Sequence, residues 1–139
     1  MRNFLDRVQA GELLVSDGAT GTYLQDHGLE PGGCPEEFNL SQPDVVRQMA
    51  ADYFAAGADL VLTNSFGGSG YRLREYGFGD RVEEVNRLAA EHARAVAPED
   101  RIVLGSIGPA GVLLEPNGPA TQEEMFDAFC RQVRGLTAG

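Results

Sequence analysis

The chain has 139 residues, a length that suits one domain with a hydrophobic core of its own. Its formal charge of −10 argues against a nucleic-acid surface, because binding phosphates needs clustered Lys and Arg. No apolar run approaches the roughly 18 residues of a membrane span, and no basic and apolar leader opens the chain, so we expect a cytoplasmic protein that binds no membrane.

The first part of the chain predicts a short helix, a strand and a loop. Apolar residues at helical spacing favour a helix over residues 3–10, which Gly11 is placed to end. Residues 13–15 are apolar and predict a brief buried strand that runs into Asp17. A loop rich in Gly and Pro follows over residues 28–39.

A longer helix and a second strand come next. Ser41 is the candidate N-cap of this helix, Pro43 stands in its first turn, and Gly57 ends it. Residues 59–62 then predict a strand that is apolar enough to be covered on both faces. The apolar stripe of the helix is formed by Val45, Val46, Met49, Tyr53 and Phe54.

The remaining residues repeat the helix and strand pattern. Short helical turns over residues 71–76 and a helix from about residue 80 to 96 precede a third strand at residues 102–104. Thr121 and Glu124 form a capping-box pair at the start of the last helix. The apolar residues of that helix are Met125, Phe126, Phe129, Val133 and Leu136.

All three predicted strands end in small and polar residues. The segments are Asp17-Gly18-Ala19-Thr20-Gly21-Thr22, Thr63-Asn64-Ser65-Phe66-Gly67-Gly68 and Gly105-Ser106-Ile107-Gly108-Pro109. A βα unit repeated at this spacing places the three ends on one rim of a parallel sheet, where α/β barrels and open α/β sheets bind their ligands. The pattern therefore predicts an α/β fold. Since an eight-unit barrel needs about 200 residues or more, we expect residues 1–139 to be the N-terminal part of a larger domain.

Asp17 is a candidate binding residue at the first strand end. A carboxylate there can accept hydrogen bonds from an ammonium group, and the backbone N–H groups that follow can hold a carboxylate at a helix N-terminus. Together these features suit the head group of an α-amino acid. Asp is also a favoured N-cap residue, so capping of the next helix is an equal alternative.

The other strand ends carry weaker signals. Thr63 and Asn64 have short hydrogen-bonding side chains, which turn chemistry at the end of a strand explains as well as ligand binding does. Gly105 and Gly108 permit close backbone approach, and a tight turn explains them equally.

The cysteines and histidines give little sign of catalysis. Cys34 and Cys130 have no spacing motif and predict neither a disulfide framework nor a local metal site. Cys34 lies in a loop where it could be exposed, and the two acidic residues after it would raise its pKa. Cys130 is expected in the core, and His27 and His92 at the surface or its boundary.

Four segments in register resemble the homocysteine S-methyltransferase family, and most closely the homocysteine-binding barrel of its cobalamin-dependent members. The segments are Asp17-Gly18-Ala19-Thr20-Gly21-Thr22; Pro35-Glu36-Glu37-Phe38-Asn39-Leu40 with Pro43-Asp44-Val45-Val46; Ala56-Gly57-Ala58-Asp59 leading to Thr63-Asn64-Ser65-Phe66-Gly67; and Gly105-Ser106-Ile107-Gly108-Pro109. The resemblance runs from about Leu13 to the end of the chain.

The resemblance implies a fold, an activity and roles for six residues. Residues 1–139 would form the first three βα units of a truncated (β/α)8 TIM barrel. The activity would be methyl transfer to homocysteine, which yields methionine. Asp17 would bind the substrate amino group, and the backbone of Gly18 and Ala19 would face its carboxylate. The pocket would be lined by Thr63, Asn64 and Gly105.

The chain lacks the segments that hold the family's zinc ion. Those ligands are three cysteines in an Asn-Cys and a Gly-Gly-Cys-Cys segment of later strands, and neither segment occurs here. The resemblance therefore implies zinc ligands beyond residue 139 and no activity of these residues alone. Methylcobalamin is the methyl donor that it favours, with cobalamin or folate modules in the same or another chain. Betaine and S-methylmethionine stay open as donors.

Two other functions are weighed against this one. A short protein that binds an amino acid or a partner without catalysis would carry the same strand ends. An aldolase-like barrel enzyme would need a lysine at a strand end for Schiff-base chemistry, and the chain contains no lysine.

Overall fold

The structure, a computed structural model, describes residues 4–139. Along this part of the chain follow α1 (Phe4–Gln9), α2 (Thr20–Asp26), α3 (Phe38–Ser41), α4 (Pro43–Ala55), β1 (Leu60–Leu62), α5 (Gly70–Glu75), α6 (Val82–Val96), β2 (Ile102–Leu104) and α7 (Gln122–Ala138). Single 3₁₀ turns at Pro35–Glu37 and Gly79–Arg81 lead directly into α3 and α6. The first predicted helix corresponds to α1, with Asn3 outside the described residues. None of these helices is both long and apolar enough to span a bilayer.

The sheet is parallel and is built in chain order. β1 and β2 pair directly, with Val61 opposite Val103. The extended segment before Asp17 lies on the other side of β1, where Ser16 forms a parallel bridge with Leu60. The carboxyl ends of all three segments therefore meet at one edge of the sheet, as the spacing of the strand ends predicts.

The predicted strand at residues 13–15 differs from expectation. It makes a single bridge to β1 rather than a paired strand, and it is not buried: Leu13 is 88% exposed and Val15 54% exposed. The prediction of a buried strand here was wrong, because the described residues leave Leu13 and Val15 exposed and cover Leu14 only in part. Leu62, at the end of β1, is also exposed on the side away from the core.

The core lies between the sheet and the helices that follow its strands. Phe54 of α4 and Ala93 of α6 pack around Val61, with Val103 beside them. Leu24 of α2 belongs to a second cluster, formed with residues of α3 and α4. Because both clusters include α4, this helix joins the sheet to the segment that carries the first strand end.

The predicted N-cap is confirmed at α7 and is wrong at α4. Thr121 Oγ1 accepts from the Glu124 N–H at 3.2 Å, and Glu124 Oε2 accepts from the Thr121 N–H at 2.9 Å, so the capping box is confirmed. Ser41 does not cap α4. It forms the end of α3, and Gln42 takes the N-cap position without a side-chain hydrogen bond. A one-turn helix directly before α4 displaces the expected boundary.

The last helix packs through small and polar residues. Gln132 and Gly135 are the buried residues of α7, whereas Phe126 of the predicted apolar stripe is 67% exposed. A Cβ at Gly135 would lie 2.5 Å from the Glu83 carbonyl oxygen of α6. The missing side chain therefore lets the two helices approach closely and turns the apolar stripe away from α6.

Candidate functional site

A cavity of about 760 Å³ opens at the carboxyl edge of the sheet, and we call it the rim cavity. It is lined by the ends of the strands and by the loop before α3. Its walls include Thr20 and Gly21 from α2, Pro35 and Glu36 from the first 3₁₀ turn, Thr63, Asn64 and Phe66 after β1, and Ser106 and Pro109 after β2. Parallel sheets bind ligands at this edge, which makes the rim cavity the candidate site.

Thr63 joins the two strand ends. Its Oγ1 accepts from the Ser106 N–H at 2.9 Å and lies 2.6 Å from the Ser65 hydroxyl, which donates to the Ser106 carbonyl at 2.8 Å. Both hydroxyl side chains are buried. The loops after β1 and β2 are thus fixed to each other at the floor of the cavity.

Asn64 is held by the first 3₁₀ turn and by α3. Its Nδ2 donates to the Pro35 carbonyl at 2.8 Å and to Asn39 Oδ1 at 3.1 Å. Asn39 Nδ2 donates in return to the Asn64 carbonyl at 2.8 Å. His92 of α6, which was expected at the boundary, is buried and lies 2.9 Å from the Asn39 carbonyl. Sequence reasoning assigned no role to Asn39, although this residue belongs to one of the segments that carry the family resemblance.

Asp17 is half-buried and is fixed to the end of β1. Its Oδ2 accepts from the Leu62 N–H at 2.9 Å, and its Oδ1 accepts from the Ser16 hydroxyl at 2.9 Å. Helix α2 has Ala19 as its N-cap, without a side-chain hydrogen bond. The capping alternative for Asp17 was therefore wrong, because the carboxylate is bound to the neighbouring strand instead.

Gly18 and Ala19 lie against α4, beside Tyr53. The Tyr53 hydroxyl donates to the Ala19 carbonyl at 2.8 Å, and a Cβ at Gly18 would lie 3.2 Å from Tyr53 Oη. The next two residues, Thr20 and Gly21, line the rim cavity. The segment from Asp17 thus leads directly into the cavity wall.

Gly105 does not line the rim cavity, and neither do Asp17, Gly18 and Ala19. Gly105 lines a second cavity of about 360 Å³ between β2 and α7, and a Cβ there would lie 3.1 Å from Leu136 Cδ1. Thr63 lines both cavities. The structure therefore brings Thr63 and Asn64 together in the rim cavity and places Gly105 behind Thr63.

Buried side chains from two helices hold the loop after β1. Gln132 of α7 donates to the Ser65 carbonyl at 2.8 Å, and Asn86 of α6 donates to the Gly68 carbonyl at 2.8 Å. A Cβ at Gly68 would collide with Asn86 Oδ1. Between these anchors, the Phe66 ring is 62% exposed at the cavity. The loop is therefore preorganised rather than free.

The described residues do not fit a zinc ion. Within residues 4–139 no three His, Cys, Asp or Glu side chains converge as a metal site. Cys34 is buried, contrary to the exposure that its loop position allowed, and burial together with the Glu36 charge raises its pKa to about 12. Cys130 is half-buried on α7. Neither cysteine therefore belongs to a set of three zinc ligands within residues 4–139.

Comparison with known proteins indicates the same family as the sequence segments do. Residues 14–139 match the family model described as homocysteine S-methyltransferase. The methionine synthases of Mycobacterium leprae (strain TN) and Mycobacterium tuberculosis (strain ATCC 25618 / H37Rv) are 38% and 36% identical over 94% and 95% of the chain. The chain spans 12% of the length of each of these curated relatives.

Solved structures agree on the fold. The homocysteine methyltransferase MmuM from Escherichia coli matches in its metallated form with a TM-score of 0.80 and in its oxidized form with 0.79, both at 22% identity. The match covers 99% of this chain and 55% and 54% of those chains, about half of their length. With the family model matched over residues 14–139, the chain belongs to the homocysteine S-methyltransferase family.

Proposed function

We propose that this chain supplies the homocysteine-binding part of an S-methyltransferase that converts homocysteine to methionine in the cytoplasm. The proposal rests on the rim cavity, which lies at the carboxyl edge of a parallel sheet. The walls of this cavity are formed by the segments through which the chain resembles its family. Residues 1–139 would form the first three βα units of a (β/α)8 barrel. Further polypeptide would complete that barrel.

Substrate binding is assigned to the six residues at the strand ends. Asp17 would accept the substrate ammonium group, since both carboxylate oxygens are held in place by donors from the chain and retain lone pairs. The backbone of Gly18 and Ala19 would face the substrate carboxylate. Thr63, Asn64 and Gly105 would line the pocket, with Thr63 shared between the rim cavity and the neighbouring cavity that Gly105 lines.

The reaction needs the substrate sulfur as a thiolate, and a free thiol with a pKa of about 8.5 is mostly protonated at neutral pH. No described residue offers a metal site that would deprotonate it. We therefore place the zinc ligands, and the methylcobalamin that would serve as methyl donor, on polypeptide outside these residues. No chemical step is assigned to this chain beyond binding and orienting homocysteine.

Binding can be tested directly on the chain. We expect L-homocysteine, titrated at millimolar concentration into 15N-labelled protein, to shift the amide resonances of Thr63, Asn64 and Gly21. Asp17→Asn keeps the size of the side chain and should reduce these shifts. Asp44→Asn is the control, because the Asp44 side chain is 94% exposed, and it should leave the shifts unchanged. Shifts confined to residues far from the rim cavity would contradict the proposal.

Turnover gives the complementary measurement. The chain by itself should retain no stoichiometric zinc after dialysis and should transfer no methyl group from methylcobalamin to homocysteine. Methionine formed by these residues alone would show that the catalytic site lies within them.

A further inference from the structure

We propose that Glu36 is a specificity-determining residue of the rim cavity and that its buried carboxylate accepts the ammonium group of the amino-acid substrate. The inference rests on the proposed function and adds to it, since the family resemblance assigns the ammonium group to Asp17 alone. It depends on the burial, the contacts and the charge of Glu36.

Glu36 belongs to the wall of the cavity. It lies in the 3₁₀ turn Pro35–Glu37, is 4% exposed, and lines the rim cavity together with Thr63 and Asn64. Its position is fixed by the loop after β1, because Oε1 accepts from the Gly67 N–H at 2.6 Å. A Cβ at Gly67 would lie 3.0 Å from that same oxygen, so glycine allows this close contact.

No cation of the described chain is paired with Glu36: Arg72 lines the same cavity, but its guanidinium donates to Glu75 at 2.8 Å. The two protein donors to Glu36 are the neutral Gly67 N–H and the neutral Cys34 thiol, which lies 3.5 Å from Oε2. Within residues 4–139 no arginine or histidine forms an ion pair with it, and the chain contains no lysine. Buried carboxylates are normally paired with a cation, because the isolated charge is costly in a low dielectric.

A ligand ammonium group supplies what is missing. It brings one positive charge and donates up to three hydrogen bonds, whereas the two neutral donors leave carboxylate lone pairs of Glu36 unused. Asp17 does not itself line the cavity but accepts from the N–H of Leu62, which does. The two carboxylates would then select amino acids over carboxylic acids that carry no amino group.

The competing role for Glu36 is purely structural, as an acceptor for the Gly67 N–H. Glu36→Gln separates the two roles, since the amide keeps the size of the side chain and an oxygen for Gly67 but removes the charge. Glu37→Gln is the matched control, because Glu37 is the adjacent residue of the same turn and is exposed.

The test compares two probes by NMR titration of the wild-type chain and both variants. L-homocysteine carries the ammonium group, and 4-mercaptobutanoate has the same thiol and carboxylate without it. We expect Glu36→Gln to weaken L-homocysteine binding about tenfold or more, as loss of a hydrogen bond to a charged group does. Binding of 4-mercaptobutanoate should stay unchanged, and Glu37→Gln should alter neither Kd.

Equal weakening of both probes by Glu36→Gln would overturn the inference in favour of the structural role, and so would unchanged binding of both. If the wild-type chain binds neither probe, the proposed function fails and the inference with it. If Glu36→Gln does not fold, the 13C resonance of the Glu36 carboxyl in the wild-type chain distinguishes ligand binding from the structural role. It should shift with L-homocysteine and not with 4-mercaptobutanoate, and an equal response to both would refute the assignment.

Discussion

The buried pair of amides at the cavity floor should contribute strongly to stability. Asn39→Leu keeps the volume of the side chain but removes three hydrogen bonds. Asn39 Nδ2 donates to the Asn64 carbonyl at 2.8 Å and to the Val85 carbonyl at 3.3 Å, and Asn39 Oδ1 accepts from Asn64 Nδ2 at 3.1 Å. The Asn64 carbonyl then loses its side-chain donor in the protein interior. Asn64 Nδ2 keeps the Pro35 carbonyl as acceptor.

The magnitude follows from the burial of the groups. A buried polar group left without a partner costs about 1–3 kcal/mol, and each of the other two hydrogen bonds adds about 1 kcal/mol. We therefore expect Asn39→Leu to lower the free energy of unfolding by about 3–5 kcal/mol. Both residues are almost completely buried, so water cannot replace the lost bonds in the folded state.

Urea unfolding followed by circular dichroism measures this change, at one protein concentration for all samples because association would alter apparent stability. Asn117→Leu, at an exposed position, is the control and should change the free energy of unfolding by no more than about 0.5 kcal/mol. If Asn39→Leu is as stable as the control, the amide pair does not stabilise the fold and the reasoning is refuted.

Three further predictions concern charge, reactivity and association. The Val15 N–H lowers the pKa of Asp59, and Arg101 and Arg7 lower it further. The ionised Asp59 carboxylate therefore stabilises the fold fully above the unfolded pKa of about 3.9, and this stabilisation is lost as pH falls through the lowered folded value. Unfolding measured against pH should show Asp59→Asn less stable than wild type at neutral pH and equal to it in acid; a constant difference would contradict this. The pKa of Cys34 is raised to about 12, so this thiol should resist iodoacetamide at pH values near 8 until urea is added. Mass spectrometry measures the labelling, and rapid labelling of the folded chain would count against the burial of Cys34. Because β2 has no further strand on its outer edge within residues 4–139, the chain should self-associate in sedimentation velocity, and a monodisperse monomer that unfolds cooperatively would refute this.

The sequence predicted the elements better than the contacts between them. The capping box of Thr121 and Glu124 is a local signal and was confirmed in full. Local signals failed at Ser41, where a neighbouring one-turn helix moved the boundary, and at residues 13–15, whose apolar character predicted burial that the described chain does not provide.

The candidate site was predicted in outline only. Polar residues after parallel strands located the rim, since strand direction alone brings such ends together. The roles of Asn39 and Gln132 were not predictable, because each contacts a residue far away in sequence and its amide gives no local pattern. Cys34 was misplaced for the same reason: the helices that bury it are distant along the chain.

The bond from Gln132 to Ser65 spans 67 positions of sequence. A growing chain can therefore build the strands and the first six helices while the Ser65 carbonyl has only the nearby Gly68 N–H as donor. When α7 emerges and docks, the loop around Phe66 gains its second helix anchor, beside the one from Asn86 of α6. Binding competence should thus appear late in synthesis, well after most of the secondary structure has formed.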